Sequence, residues 1–501
     1  MSPNQAISIA QSKAGSQAPV RSNIIFVLFA AVLAVALGVA AVKPVYGLLI
    51  ATIAVMVAVA PFTIFEPLIF TCALVVFTIS NLTDILIVKF SLPSVTKILT
   101  VVIAASLYLR AKRNASWPRI DLAAILILLA YVFATGMTVF WAYYPDISAI
   151  EFGGMVRDIV VVVLLLAVLQ SMDDVRAISR SIIAGLVLIS TLGALNAATS
   201  QYGRDMLGLA TFSIEHIAGD IDSYRFIGPL TDPNALGRIL LIGIPFAVYE
   251  FIWARSHLGR LLAALCAVSL VIGLVLTFSR GAMLAFGVMA SVAMWNHRRY
   301  LLRIAVILMP CAVLFASILP QSYWSRAEVL LGLASERTIG AIAPDQSVDN
   351  RMEEMQAAAF AFADHPVRGV GYANFPFMFE KYALDYQFRP RFEPRESHSE
   401  ILRVAAEQGL LGLIVYLLLW GRAVWNSARV HNQLQASDPR NADLAFALTL
   451  ALIGYFSASL FLHEAYARNA WLILGMALAL PQFTSRSAQR QASGSTCNVH
   501  K

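Results

Sequence analysis

Three short stretches of this chain combine residue types that handle charged groups and protons. The first, 224–234, carries Arg225 and then Asp232, Pro233 and Asn234. Asp232 suits a helix N-cap and Pro233 the first helical position. A helix N-terminus presents unpaired N–H groups and partial positive charge, so it favours an anion. Arg225 adds a guanidinium there and Asn234 adds amide donors. The same residues also describe a capped helix beside a surface arginine. The second stretch, 277–282, sets Arg280 between two apolar runs with almost no loop around it. At a lipid–water boundary a guanidinium can grip a phosphate through two hydrogen bonds, or simply reach for the interface. The third, 396–403, spaces Ser397 and Glu400 as an S-x-x-E capping box. That spacing places His398 in the first helical turn. The helix dipole there opposes imidazolium and favours the neutral ring that a general base needs. The alternative is a histidine at a wet helix end with no chemical role. Glu407, nine residues on, falls on the far side of the same helix and reads as a hydrogen-bonding partner to another helix.

Other candidates carry less. His463, Glu464 and Arg468 close a later apolar run, where they either join the site or mark the interface. His216 and His365 have no metal-type spacing, and no metal or cofactor is expected. Cys72, Cys266 and Cys311 sit inside apolar runs as small hydrophobes, and Cys497 lies in the C-terminal tail. Asp220 and Asp222 form a D-x-D pair of the kind metal-dependent sugar transferases use for nucleotides, but many carboxylates crowd that segment and it is read as non-cytoplasmic. Ser397 and Ser399 are better explained by capping than by a serine triad.

The elements that position these residues follow from composition. Of 501 residues 59% are hydrophobic and 13% charged, against roughly 25% charged in a soluble domain. A soluble globule, a disordered chain and a disulfide framework are all excluded. An all-α polytopic membrane protein remains. A span needs about 20 apolar residues, and about fourteen runs are candidates, the third, fourth and sixth of them short or carrying Glu66, Lys97 or Asp158: 24–42, 45–61, 63–80, 93–109, 121–141, 156–170, 179–198, 234–253, 260–277, 281–295, 301–319, 401–421, 443–462 and 467–482. Short basic loops at 110–119, 173–180, 255–260, 298–303 and 422–440 fall on one side if the N-terminus is cytoplasmic. The chain then divides into a cytoplasmic tail 1–22, eleven spans over 23–319 with a periplasmic loop 199–233, a large periplasmic loop 320–400, three spans over 401–482 and a cytoplasmic tail 483–501. Segment 143–158 is a further non-cytoplasmic piece, and the large loop holds an amphipathic helix candidate at 351–363. The net charge of +7 reads as orientation against an anionic leaflet, not as affinity for nucleic acid. All three chemical stretches land on the non-cytoplasmic side.

In their order and placement, four segments resemble the O-antigen ligase and O-antigen polymerase (Wzy-type) superfamily of bacterial surface-polysaccharide assembly. They are Arg225-Phe-Ile-Gly with Asp232-Pro-Asn234, then Ser279-Arg-Gly281, then Asp364-His-Pro-Val-Arg-Gly-Val-Gly-Tyr-Ala-Asn-Phe375, then His398-Ser-Glu-Ile-Leu-Arg-Val-Ala-Ala-Glu-Gln-Gly409. The last is similar to the family's H-N-x-x-L…E-x-G-x-x-G pattern, with Ser399 where an asparagine is common. The likeness covers about 220–420 and implies about twelve spans, two fewer than the hydropathy reading.

The resemblance implies an inverting, metal-independent glycosyl transfer at the periplasmic face of the inner membrane. Its donor is an oligosaccharide on undecaprenyl diphosphate, and membrane lipids and a chain-length regulator or flippase of the same pathway are its other implied partners. His398 would take the acceptor proton. Arg225, Arg280 and Arg351 would hold the diphosphate, with Asn234 positioning substrate. The physical reading agrees, since arginines and a helix N-terminus can neutralise a departing diphosphate. The first expectation is a polymerase in O-antigen or exopolysaccharide assembly. The alternatives are a ligase delivering finished polymer to lipid A–core and a lipid-linked oligosaccharide flippase. A flippase predicts charges lining a central cavity and short loops on both sides.

Overall fold

The computed structural model describes residues 66–217, 221–296, 346–388, 393–462 and 468–483. The expected spans 24–42, 45–61 and 301–319 lie outside them, as do both tails, the basic loop 298–303, His463 and Glu464.

The described chain is a helical bundle: α1 (Pro67–Ile79), α2 (Leu82–Phe90), α3 (Val95–Asn114), α4 (Leu122–Val139), α5 (Pro145–Val168), α6 (Met172–Ala198), β1 (Thr211–Ile217), β2 (Ile221–Gly228), α7 (Pro233–Trp253), α8 (His257–Leu276), α9 (Arg280–Asn296), α10 (Gln346–Asp364), α11 (Phe375–Asp385), α12 (Glu400–Leu434), α13 (Pro439–Ser459) and α14 (Arg468–Ala479). Local chemistry sets many of the starts. Proline opens α1, α5, α7 and α13, where its missing N–H costs nothing. Ser94, Asp121, Ser171, Asp232, Ser256 and Asp438 accept a backbone N–H as N-caps. Six helices (α4, α6, α7, α8, α12 and α13) are long and apolar enough to cross a membrane. The pair α1–α2, bent by 67° at its break, makes up to seven. Helices α3, α5, α9 and α14 meet further expected spans but are shorter or carry more charge.

Two expectations need correction. The protein is not purely α-helical: within 199–233, β1 and β2 pair antiparallel, with Phe212 opposite Phe226 and Ser213 opposite Arg225. Outside the bundle core, backbone groups can satisfy each other across a hairpin as well as along a helix. Phe226 is fully buried against Gly193 of α6, where a Cβ would overlap the ring. The hairpin is thus keyed into a notch in the bundle. Segment 143–158 is also mostly helix, because α5 starts at Pro145 with Asp146 in its first turn.

The bundle has two distinct ends. One gathers the hairpin, α10 and α11, and we call it the hairpin end. At the other, Arg422 lies 3.4 Å from Asp121, Arg176 bonds Asn441 at 2.7 Å, and the Trp253 indole donates to Asp443 at 2.9 Å. The four basic loops within the described residues all fall at this second end.

Candidate functional site at the hairpin end

Every described site residue expected from the sequence lies at the hairpin end. Strand β2 presents Arg225 to the start of α7 and to the C-cap of α8. Its Nε donates to the Thr277 carbonyl at 3.1 Å and its Nη2 to Asn234 Oδ1 at 3.3 Å. Asp232 caps α7 as expected, accepting from the Asn234 N–H at 2.8 Å and from its side-chain amide at 2.9 Å. Asn234 is therefore turned toward the arginine and its own cap. The 277–282 turn, which holds Arg280 at the start of α9, packs on Gly237: a Cβ there would meet Ala282, Thr277 and Ser279. The lack of a side chain at Gly237 lets Arg225, Asn234 and the Arg280 turn share one corner.

One turn further along α7, about 6 Å of rise, stands Arg238. It is fully buried and pairs with Glu400 at 2.9 Å, bonds Ser459 Oγ at 3.2 Å and lies 4.6 Å over the Tyr455 ring. The Tyr416 hydroxyl also donates to Glu400. This pair ties α7, α12 and α13 together and corrects the expected cap. Ser399, not Ser397, is the N-cap of α12, accepting from the Leu402 N–H. Glu400 does not reach back to close a capping box, because the buried guanidinium of Arg238 holds its carboxylate. Ser397 instead donates to the Ser399 carbonyl at 2.8 Å. His398 consequently sits just outside the helix, not in its first turn, with φ +48°.

That turn aims His398 at α10. Its Nε2 lies 3.0 Å from Glu354 Oε2, and Glu354 is almost fully buried while the imidazole keeps 23% exposure. The contact sets a buried carboxylate against Nε2, with Nδ1 the other ring nitrogen. Arg351 lies three residues before Glu354 on α10 and so shares its face. The amphipathic helix expected at 351–363 is thus real, extends over Gln346–Asp364, and carries the carboxylate that contacts the histidine.

Behind His398 the chain is stitched to a loop. Helix α12 breaks at Gly409, with φ +66° and ψ −166°. The break frees the Ala406 and Glu407 carbonyls, which accept the N–H groups of Val370 at 2.8 Å and Gly371 at 3.0 Å, while the Leu410 N–H donates to Pro366 at 2.7 Å. Gly371 adopts φ +106° to make this approach. Glu407 accepts the N–H groups of Ala373 at 2.8 Å and Phe375 at 3.3 Å and the Arg403 Nε at 3.1 Å. Phe375 opens α11, so Glu407 bonds another helix, as expected, together with this loop and its own helix. Arg403 also holds Glu396, whose carboxyl burial pushes above its usual value against the pull of that guanidinium. The segments 364–375 and 398–409 are therefore one constellation.

Residues 264–417 match the family described as O-Antigen ligase. That match supports the O-antigen ligase and polymerase superfamily for this stretch. No curated protein matches the chain. The O-antigen ligase region holds Arg280, Arg351, Glu354, His398 and Glu407, while Arg225, Asn234 and Arg238 precede it on the hairpin and α7.

Two site residues escaped the sequence reading. Glu354 was detectable as the same-face neighbour of Arg351 on an amphipathic helix. Arg238 was detectable as a lone charge inside an apolar run, which at membrane depth is functional or paired. Among the described residues, no three His, Cys, Asp or Glu side chains gather as a metal site.

Proposed function

We propose that the hairpin end is the periplasmic face of the inner membrane, and that the chain is a glycosyltransferase using an undecaprenyl-diphosphate glycan as donor. His398 takes the proton of the acceptor hydroxyl through Nδ1 as the hydroxyl oxygen bonds to the anomeric carbon. The bond from that carbon to the diphosphate oxygen breaks on the opposite side, so configuration inverts. The lipid diphosphate departs with the electron pair, and Arg225, Arg280 and Arg351 face its charge. Glu354 holds the ring in place and stabilises the imidazolium that forms, the part a buried carboxylate plays beside a catalytic histidine elsewhere. Asn234 helps to position Arg225.

The observation that carries this reading is the Glu354–His398 contact of 3.0 Å at the same bundle end as the arginines. We favour a polymerase, whose acceptor is another lipid-linked repeat. A ligase acting on lipid A–core uses the same machinery. The surface glycan of a deletion strain tests both. Single repeats on the lipid anchor with all polymer lost support the polymerase. Polymer accumulating on the carrier supports the ligase. An untransported lipid-linked repeat would overturn both in favour of a flippase.

A further inference from the structure

Away from His398, a cleft of about 710 Å³ lies between the α1–α2 bend, α3, α5 and α14. Six charged side chains line it: Asp84, Lys97, Glu151, Arg157, Asp158 and Arg468. Asp84 and Arg468 pair across its mouth at 3.7 Å. Lys97, Glu151 and Asp158 make no ion pair among the described residues. Asp158 lies thirteen residues into α5, about 20 Å along the helix. Charge at that position on a helix of an apolar bundle needs water, a counter-charge or a polar ligand beside it, and Arg157 and Arg468 of the same lining supply part of the counter-charge.

The lining changes character with position. Its floor is Leu74, Val161, Leu165 and Leu472, and at its edge Ile87, Ile150 and Val160 are exposed. An apolar tail can enter over the edge while a polar head meets the charged wall. Three carboxylates and three cations give the cleft no net charge. Carboxylates repel a diphosphate, whereas alternating carboxylates and guanidinium or ammonium groups suit sugar hydroxyls, which donate and accept. The cleft also adjoins the site. Tyr372 lines it, the next residue, Ala373, is held by Glu407, and Glu407 shares Arg403 with Glu396, two residues before His398.

We infer that this cleft seats the acceptor, a hydroxyl-rich glycan on a lipid anchor, apart from the arginine corner that receives the donor diphosphate. The inference rests on the glycosyltransferase reading above.

The test uses the full chain purified into bilayer nanodiscs with two probes: a photoactivatable dodecyl maltoside, with a neutral glycan head and apolar tail, and undecaprenyl diphosphate alone. Gly154 lines the cleft with only the Arg157 side chain near its missing Cβ, so Gly154→Trp fills it. Gly153→Trp adds the same bulk one residue away, where nothing lies within 4 Å. Gly154→Trp should cut specific maltoside labelling roughly tenfold, the effect of about 1.4 kcal/mol, with undecaprenyl diphosphate binding within about twofold. Gly153→Trp should leave labelling at the wild-type level, and wild-type label should map to α3, α5 or α14. If Gly154→Trp fails to fold, Lys97→Ala/Glu151→Ala should give the same loss. Unchanged labelling in the cleft variants would overturn the inference, as would loss of undecaprenyl diphosphate binding in place of maltoside labelling. Failure of the wild type to bind undecaprenyl diphosphate would instead overturn the donor reading beneath it.

Discussion

The two ends of the bundle handle charge in opposite ways. At the basic end, the ion pairs keep a partly or fully exposed partner, even where Arg176 is itself buried against the open Asp173. Arg180 meets Glu250 at 2.8 Å with the arginine 56% exposed, and such pairs contribute little to stability. At the hairpin end, Arg238 and Glu400 are 0% and 1% exposed, and Arg403, Glu407 and Glu354 are buried beside them. Taking such groups out of water is expensive unless every partner is present. The contrast separates two uses of charge: one end carries the basic loops and open pairs, and the other buries its pairs beside a histidine.

Substitutions can break this contrast, and the largest effect belongs to the buried pair. Arg238→Ala strands the Glu400 carboxylate and should destabilise the folded chain by about 3–5 kcal/mol, read as a lowered thermal midpoint in detergent. The double variant Arg238→Met/Glu400→Leu should recover most of that loss. A double variant no more stable than the single one would show that the pair does more than neutralise itself. Gly409→Ala comes next. It places a Cβ against the Val367 carbonyl in a backbone region nearly exclusive to glycine. The cost should be about 1–3 kcal/mol, and protease cleavage within 364–374 should rise as the loop detaches. Wild-type protease resistance would contradict the stitched break. Glu354→Gln keeps the shape but removes the charge facing His398. It should lower kcat roughly 10–100-fold with little change in KM; a change in KM alone would make Glu354 a binding residue. The smallest effect is expected at the basic end, where Arg180→Ala should shift stability by less than about 1 kcal/mol and leave transfer unchanged.

How far the sequence revealed this arrangement depended on the range of the signal. Helices were legible because apolar runs and caps such as Asp232–Pro233 act locally. The hairpin was missed although 211–217 largely alternates polar and apolar residues, a strand signal; what seats it is not local, since the residue that makes room for Phe226, Gly193, lies on another helix. The cap of α12 was misread for a related reason. Ser397 and Glu400 have capping-box spacing, but the partner that claims Glu400 is 162 positions away. The site histidine and arginines could be picked out by residue type at helix ends. Glu354 could not be assigned to His398 from sequence, because nothing local states that α10 folds back over the start of α12.

We propose His398, in contact with Glu354, as the base of a glycosyl transfer at the hairpin end. The most direct measurement is the transfer rate of purified, full-length His398→Ala protein with a lipid-diphosphate glycan donor, beside its thermal midpoint. The account predicts a rate lower by roughly 10²–10⁴-fold at a midpoint close to wild type. A variant that transfers at the wild-type rate, or one that loses its rate only because it unfolds, would contradict it.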